Sequence, residues 1–251
     1  MFLDEVIAST RARCATLPVD FPVDDAPPVR SLANAIMSCP DGRAIIAEIK
    51  PVSPAHGRLR TVPDHAGLAR ELVAGGAAAL SVLTEPLYFG GASDRLAQLR
   101  SAIEVPLLRK EFIIDERQLP ETRALGGDAV LLMAKVLGDR LVAFVDLARE
   151  IGLEPLVEVQ MEAEVELALG TDARLVGINN RDLTTLRVDL GTTSRLSPSL
   201  RDDGRTVVSM SGISSAADLL RLAPHCDAFL IGSALMWAPS PRTALEALRA
   251  L

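Results

Sequence analysis

Lysine is scarce in this chain of 251 residues: of its 26 lysines and arginines, only Lys50, Lys110 and Lys135 are lysine. In a composition that favours arginine this strongly, an ordinary surface cation tends to become arginine. The pKa of a lysine falls readily when its ammonium loses contact with water, whereas a guanidinium stays protonated. The three lysines are therefore candidates for proton transfer rather than simple surface charges.

Aromatic side chains are also scarce, at 3% of residues against 49% hydrophobic residues, so we expect an aliphatic core. No apolar run approaches the roughly 18 residues of a membrane span, and the first residues lack the basic and apolar regions of a signal peptide. The three cysteines, Cys14, Cys39 and Cys226, form no paired motif with one another or with histidine. We therefore expect a reduced, cytoplasmic protein that has no membrane partner.

The chain has a net charge of −7, and its basic residues are dispersed. A basic face for nucleic acid is therefore not expected. A small anionic substrate is compatible with this balance, because a pocket can be locally positive on an acidic protein.

Short aliphatic runs alternate with amphipathic helical patterns along most of the chain. The predicted strands cover residues 44–49, 78–83, 105–109, 128–133, 154–159, 174–178, 206–210 and 227–231. These runs are nearly continuous, which is typical of parallel strands covered on both faces. Predicted helices over 64–74, 139–151 and 161–169 are each followed by glycine, the usual helix stop.

Eight strand–helix units predict an α/β fold, a single (β/α)8 TIM barrel. An open doubly wound sheet is the alternative, but no GxGxxG or Walker loop follows the first strand. Residues 1–43 are predicted to form an N-terminal helical extension that packs on the barrel of residues 44–251. The extension has predicted helices over 2–14 and 30–37, and disorder is the alternative for the Pro- and Asp-rich stretch 18–29 between them.

Barrels of this type carry their sites at the carboxyl ends of the strands, and all three lysines end predicted strands. Glu48 and Lys50 are two residues apart and therefore point the same way. Lys110 adjoins Arg109, and because side chains alternate, only one of them can face the barrel; we expect Lys110. Glu158 is a lone acid in an apolar strand, which predicts a lysine partner or a raised carboxyl pKa, either of which suits acid–base catalysis. A purely structural ion pair is the alternative for both acids.

The later strand ends carry groups suited to anions. Asn179 and Arg181 share strand parity and could hold a carboxylate, although Arg181 could instead fasten its own loop through the aspartate that follows it. Two glycine turns, 211–212 and 232–233, follow the last two strands and lead into helices. Their backbone N–H groups predict a phosphate site, to which the Ser53 hydroxyl could contribute.

With these residues assembled, the chain resembles the indole-3-glycerol-phosphate synthase family of tryptophan biosynthesis. The resemblance runs from about residue 44 to residue 251, in the family's order. It is carried by AEIK at 47–50 with Ser53 and Pro54, SVLTE at 81–85, RKEF at 109–112, EPLVEV at 154–159, INNRDL at 178–183 and SGI at 211–213.

The resemblance implies that the chain closes the ring of 1-(2-carboxyphenylamino)-1-deoxyribulose 5-phosphate, giving indole-3-glycerol phosphate, CO2 and water. It implies a phosphorylated small-molecule substrate and neither a metal nor an organic cofactor; we expect a monomer, with a weak homodimer as the alternative. Lys110 would be the general acid at the ketone. Lys50 and Glu158 would share the proton transfers of dehydration, and Glu48 would support Lys50.

The resemblance also implies roles for the other strand-end residues. Asn179 would complete the catalytic group and, with Arg181, orient the anthranilate end. The remaining substrate contacts would come from Phe112 and Leu131 on the ring, Ser81, Lys135 and Met210 elsewhere in the pocket, and Ser53, Ser211, Gly212, Gly232 and Ser233 at the phosphate.

One position departs from the family pattern. After the seventh strand the family usually reads Glu-Ser-Gly-Ile, whereas this chain has Met210 before the Ser-Gly-Ile. Methionine has no charge and is only a weak acceptor. Three interpretations stay open: an enzyme with one fewer carboxylate, a paralogue acting on a modified anthranilate-derived ribulose phosphate, or a weakly active or non-catalytic phosphate-binding paralogue. A ketose isomerase is a further alternative, but such barrels usually place an Asp acid–base pair where this chain has Glu48 and Lys50.

Overall fold

A computed structural model describes residues 2–23, 26–40 and 42–250 of the chain. Its central sheet is a closed barrel of eight parallel strands in chain order, and the first strand pairs with the last. The strands, numbered β1 to β8, are Ala44–Ile49, Ala79–Leu83, Leu107–Lys110, Ala129–Met133, Glu154–Val159, Leu175–Asn179, Thr206–Met210 and Ala228–Ile231. The predicted TIM barrel is confirmed, and the open sheet is wrong.

The strand boundaries follow the apolar runs closely. Strands β1, β5 and β7 match their predicted residues one for one, and the others differ by one or two residues at an end. Strand β3 begins at Leu107 rather than at 105, since Pro106 has no N–H to donate to the ladder. The same strand runs on to Lys110, so this lysine is part of the barrel wall rather than of the loop after it.

Helices surround the barrel and precede it. Within the described ranges the α-helices, numbered α1 to α13, are Phe2–Cys14, Leu32–Met37, His65–Ala74, Pro86–Phe89, Arg95–Arg100, Gln118–Ala124, Ala134–Leu137, Leu141–Glu150, Glu162–Leu169, Gly191–Asp202, Ala216–Leu222, Ser233–Trp237 and Pro241–Arg249. A short hairpin, Val52–Ser53 with Gly57–Arg58, follows β1, and 3-10 turns cover Gly138–Arg140 and Ala223–His225.

Some helices begin later than predicted, because the residue before them acts as a cap or because they open with a 3-10 turn. The Asp64 side chain accepts the Gly67 N–H at 2.8 Å and caps α3, so the helix begins one residue later than predicted. Ser31 caps α2 in the same way. The helix predicted over 139–151 begins with a 3-10 turn and becomes α-helical at Leu141.

The apolar core has two layers, as expected of strands covered on both faces. An outer layer lies between the barrel and its helices and includes Ile45, Leu80 and Val157. An inner layer fills the barrel and includes Ile46 and Leu156. At the carboxyl ends of the strands, residues of this inner layer form part of the wall of a cavity.

The residues before β1 pack against both ends of the barrel. Val6 of α1 and Leu32 of α2 belong to the inner apolar layer. The Glu154 carboxylate at the start of β5 accepts the Ser31 hydroxyl at 2.6 Å and the Ala33 N–H at 2.9 Å, which fixes α2 at the amino ends of the strands. Of the stretch 18–29, residues 24 and 25 lie outside the described residues. No helix in the described part of the chain is long and apolar enough to cross a membrane.

Candidate active site

A cavity of about 320 Å³ opens at the carboxyl ends of the strands. Polar groups line its centre, aromatic and aliphatic side chains line one end, and two glycine turns line the other. Of the residues predicted for the site, the cavity walls contain Glu48, Lys50, Ser53, Lys110, Phe112, Leu131, Glu158, Asn179, Arg181, Met210, Ser211, Gly212, Gly232 and Ser233.

Two lysine–glutamate pairs occupy the centre of the cavity. Lys50 Nζ lies 2.7 Å from Glu48 Oε1, and Lys110 Nζ lies 3.2 Å from Glu158 Oε2. Asn179 Nδ2 donates to the other oxygen of Glu158 at 2.9 Å. The lone acid of β5 thus has the lysine partner that its apolar surroundings predict, and an amide holds it in place. Each pair combines a proton donor with a proton acceptor beside an open cavity.

Lys110 and its neighbour Arg109 point to opposite sides of the barrel wall, because successive side chains of a strand alternate. Lys110 faces the cavity, as predicted. Arg109 is completely buried on the outer side, where its guanidinium donates to Thr122 Oγ1 at 2.9 Å and lies 2.8 Å from Glu121 Oε2. The second cation is therefore structural and leaves Lys110 as the ammonium that β3 gives to the site.

Arg181 lies on the cavity wall after β6, where its backbone N–H donates to Asn179 Oδ1 at 3.0 Å. Its guanidinium donates to the Leu186 carbonyl at 2.8 Å, so it does fasten its loop, but through a carbonyl rather than through Asp182. Burial lowers the pKa of Arg181, and the negative charge of Glu48 opposes that shift. Arg181 therefore adds a partly desolvated positive charge to the cavity.

The end of the cavity near β7 and β8 is built from close-fitting backbone turns. Ser211 and Gly212 both adopt left-handed conformations, with φ of 68° and 81°. A Cβ at Gly212 would lie 2.2 Å from Val188 Cγ1, and a Cβ at Gly232 would lie 2.3 Å from Glu48 Oε1. Only glycine fits at these two positions, and a left-handed serine is uncommon enough to mark a site under functional constraint.

Two further residues, which were not predicted from the sequence, complete this end. His56, from the loop after β1, meets Trp237 at the end of α12 with ring centroids 4.8 Å apart. Both line the cavity beside Ser53 and Ser233. Neither residue lies at the end of a strand, and the site prediction was based mainly on residues at strand ends.

The opposite end of the cavity is apolar. Phe112 and Leu131 lie there as predicted, together with Phe2 and Phe89, which were not predicted. The Phe89 and Phe112 ring centroids are 6.1 Å apart, and those of Phe2 and Phe89 are 6.4 Å apart. Phe2 comes from α1, far from the barrel in sequence. The four side chains form a slot suited to a flat aromatic ring.

Met210 lies on the cavity wall at the end of β7 and is 1% exposed. It packs across Gly177 of β6, where a Cβ would come within 2.6 Å of Met210 Cε. Because residue 177 is glycine and has no side chain, there is room for the methionine. As a result, the wall at position 210 is apolar, and the acidic groups at the centre of the cavity are those of the two ion pairs, Glu48 and Glu158.

Two predicted substrate-binding residues do not line the cavity. Ser81 is completely buried in the middle of β2, one layer below Leu83, which does line it. Lys135 is exposed on α7, which begins directly after β4 and carries the side chain away from the cavity. Its charge instead acts on Glu164 and Asp182. The cavity lining therefore does not support either predicted contact, because closeness to a strand end in sequence does not determine how deep a side chain lies or which way it points.

We expect Ser81→Ala to leave KM within about twofold and to keep or slightly raise the melting temperature. Ser81 Oγ has no hydrogen-bond partner among the described residues, and a buried unsatisfied polar group costs about 1–3 kcal/mol. Ser53→Ala, at the end of the cavity with the glycine turns, is the matched control and should raise KM. A raised KM for Ser81→Ala in steady-state kinetics would return Ser81 to the substrate-binding residues.

No group of three His, Cys, Asp or Glu side chains is placed to hold a metal ion in the part of the chain that the structure describes.

Comparison with known proteins gives a consistent result. Residues 3–248 match the family model of indole-3-glycerol phosphate synthase. Proteins with that name from Methanopyrus kandleri and Laribacter hongkongensis are 44% and 41% identical, over 87% and 96% of this chain and 87% and 93% of their own length. One from Aquifex aeolicus is 38% identical and covers 98% of both chains.

Solved structures show the same fold at low sequence identity. KGPDC from Streptococcus mutans superposes with a TM-score of 0.64 at 14% identity, covering 83% of this chain and 96% of its own. Thiamine phosphate pyrophosphorylase from Pyrococcus furiosus gives a TM-score of 0.60 at 20% identity, covering 83% and 94%. At these identities the likeness shows the barrel architecture alone.

Proposed function

The chain belongs to the indole-3-glycerol phosphate synthase family, and we propose that its cavity closes the ring of 1-(2-carboxyphenylamino)-1-deoxyribulose 5-phosphate, with Lys110 starting the reaction. The chain is accordingly a carbon–carbon lyase of tryptophan biosynthesis that acts on a phosphorylated small molecule. Relatives that share this name across several organisms support this activity over the alternative substrates and over a non-catalytic role. The observation that carries the proposal is the placement of two lysine–glutamate pairs between an aromatic slot and two glycine turns.

The two ends of the cavity would orient the substrate. The aromatic slot suits the anthranilate ring, with Arg181 and Asn179 close enough to the centre to hold its carboxylate. The turns 211–212 and 232–233 and the Ser53 hydroxyl suit the phosphate, which backbone N–H groups bind well. The reacting ketone would then lie between the two ends, beside the lysines.

Lys110 would act in the first step. The ring carbon that bears the carboxylate attacks the ketone carbon, and the ketone oxygen takes a proton from the Lys110 ammonium. A proton donor is needed because an aromatic carbon is a weak nucleophile. Loss of CO2 then returns the electron pair to the ring and restores its aromaticity.

Glu158 and Lys50 would act in the dehydration that follows. The new hydroxyl leaves as water with a proton from one of the two lysines. Glu158 removes a proton from the newly closed ring, and the electron pair left behind forms the double bond of the indole. Glu48 holds Lys50 at 2.7 Å and keeps its ammonium over the cavity. Gly232 leaves the space that the Glu48 carboxylate occupies, so the phosphate turn and this ion pair depend on the same glycine.

Met210 should limit the rate in this chain. We expect Met210→Glu to raise kcat, by up to roughly tenfold, because it adds a carboxylate to the acid–base groups of the cavity. Met210→Gln, which is equally long but cannot ionise, is the control and should not raise it. Unchanged kcat in Met210→Glu, in protein that melts as the wild type does, would show that position 210 is not limiting.

We further propose that the chain acts as a monomer in the cytoplasm. Cys14 and Cys226 are buried free thiols, which is the usual state of cysteine in a reducing compartment. Burial also raises the pKa of Cys226 to about 12, so this thiol is unreactive. Light scattering would give the oligomeric state, and a mass of twice 26.7 kDa would contradict the monomer.

A turnover assay tests the proposed function. Purified protein is mixed with the carboxyphenylamino-deoxyribulose phosphate, and indole absorbance is followed with time. The proposal predicts catalytic formation of indole-3-glycerol phosphate. Substrate binding without indole would instead support the non-catalytic interpretation that position 210 left open.

A further inference from the structure

Helix α1, which precedes the barrel, contacts the buried carboxylate of Glu111, the residue directly after strand β3. Arg13, in the last turn of α1, donates to both oxygens of Glu111, at 3.2 and 3.3 Å. The Glu111 side chain is completely buried, whereas that of Arg13 is 29% exposed. Glu111 directly follows Lys110, so an element outside the barrel holds the residue next to the proposed acid.

Glu111 also fixes the backbone on both sides of Lys110. One carboxylate oxygen accepts the Phe112 N–H at 2.9 Å, and the other accepts the Thr84 hydroxyl at 2.8 Å. The Thr84 hydroxyl in turn accepts from Arg109 Nε at 3.2 Å. Residues 109, 111 and 112 are therefore tied to one network, with Lys110 in the middle.

Thr84 also binds the backbone of Lys110 directly. Its backbone N–H donates to the Lys110 carbonyl at 3.2 Å, while its side chain donates to Glu111. The end of β2 thus holds the backbone of Lys110 directly and holds its neighbour through a carboxylate. A shift of Glu111 would be passed to Lys110, whose Nζ must stay near Glu158 and the reacting oxygen.

We propose, on the basis of the function above, that Arg13 is a positioning residue for Lys110. A buried carboxylate needs a charged partner on its open side, and Arg13 supplies it from α1. The other nearby cation, Arg109, approaches Glu111 only to 4.0 Å and is already engaged by Thr122 and Glu121. Without Arg13, Glu111 would turn toward solvent or Arg109 and release Thr84 and the Phe112 N–H.

The kinetic test uses three variants. Arg13→Gln should lower kcat by roughly tenfold or more with KM little changed, because a small misplacement of a catalytic group is costly while the binding ends of the cavity stay intact. Arg13→Lys restores the charge and should recover most of the rate. Arg11→Gln removes an exposed arginine from the same helix and should behave as the wild type.

The second readout does not depend on turnover. The chain has three lysines, so protein labelled with 13C at the lysine Cε should give three NMR signals, and the one lost in Lys110→Arg belongs to Lys110. That signal should move in Arg13→Gln and stay in Arg11→Gln, while the other two do not change. In Arg13→Lys it should return to its wild-type position, beside a fourth signal from the introduced lysine.

An unmoved Lys110 signal, or a kcat within twofold of wild type, in Arg13→Gln would overturn the proposal. A lower rate with an unmoved signal would reflect helix docking alone. If the wild-type chain forms no indole, the proposed function fails, and the NMR comparison still decides whether Arg13 positions Lys110.

Discussion

Lys110→Arg should lower kcat by about 10²–10⁴-fold, the usual contribution of a general acid, and leave KM within a few-fold. Arginine keeps the positive charge, but its guanidinium does not release a proton near neutral pH and is broader than an ammonium. The cavity places Lys110 Nζ 3.2 Å from Glu158, with no second lysine on β3 to replace it. Steady-state indole formation measures the effect.

Lys135→Arg is the matched control for this substitution. It makes the same chemical change at an exposed lysine that does not line the cavity. We expect wild-type kcat and KM for this variant. Wild-type activity in Lys110→Arg would instead remove Lys110 from the mechanism, and equal losses in both variants would show that the assay reports something other than the site.

Glu158→Gln should lower indole formation by about 10²-fold or more, because it removes the proposed base of dehydration while keeping the size of the side chain. The carboxylate that Lys110 and Asn179 contact at 3.2 and 2.9 Å becomes neutral. Glu166→Gln, an exposed position on α9 after the same strand, is the control and should have no effect.

The two variants should differ in which product they lose. Dehydration follows the loss of CO2, so Glu158→Gln should release more CO2 than it forms indole. Lys110→Arg blocks the step before decarboxylation and should lower both products equally. Parallel measurement of CO2 and indole tests the order of the two roles, and equal losses in Glu158→Gln would assign Glu158 to an earlier step.

The barrel and the centre of its cavity could be predicted because local sequence determines them. Continuous apolar runs locate strands covered on both faces, and alternation along a strand separates Lys110 from Arg109. A lone acid in an apolar strand needs a partner, which is why Glu158 could be matched with a lysine. In each case the inference needs only residues that are close in sequence.

The rest of the site depends on packing between distant segments. Phe2 reaches the cavity, and Arg13 reaches Glu111, only because α1 docks beside β3. Trp237 reaches the cavity only because α12 turns toward the loop that carries His56. Ser81 and Lys135 lie off the cavity wall for the complementary reason. The number of residues between a side chain and a strand end does not determine how deep that side chain lies in the barrel. It also does not determine where the next helix begins.

A substrate analogue whose ketone is reduced to an alcohol cannot cyclise, so a structure with this analogue bound would show where the reacting groups lie. We expect its ring between Phe112 and Leu131, its phosphate on the turns 211–212 and 232–233, and Lys110 Nζ within hydrogen-bond distance of the alcohol oxygen. An analogue bound in the reverse direction, or one whose alcohol oxygen is out of reach of Lys110, would contradict this expectation.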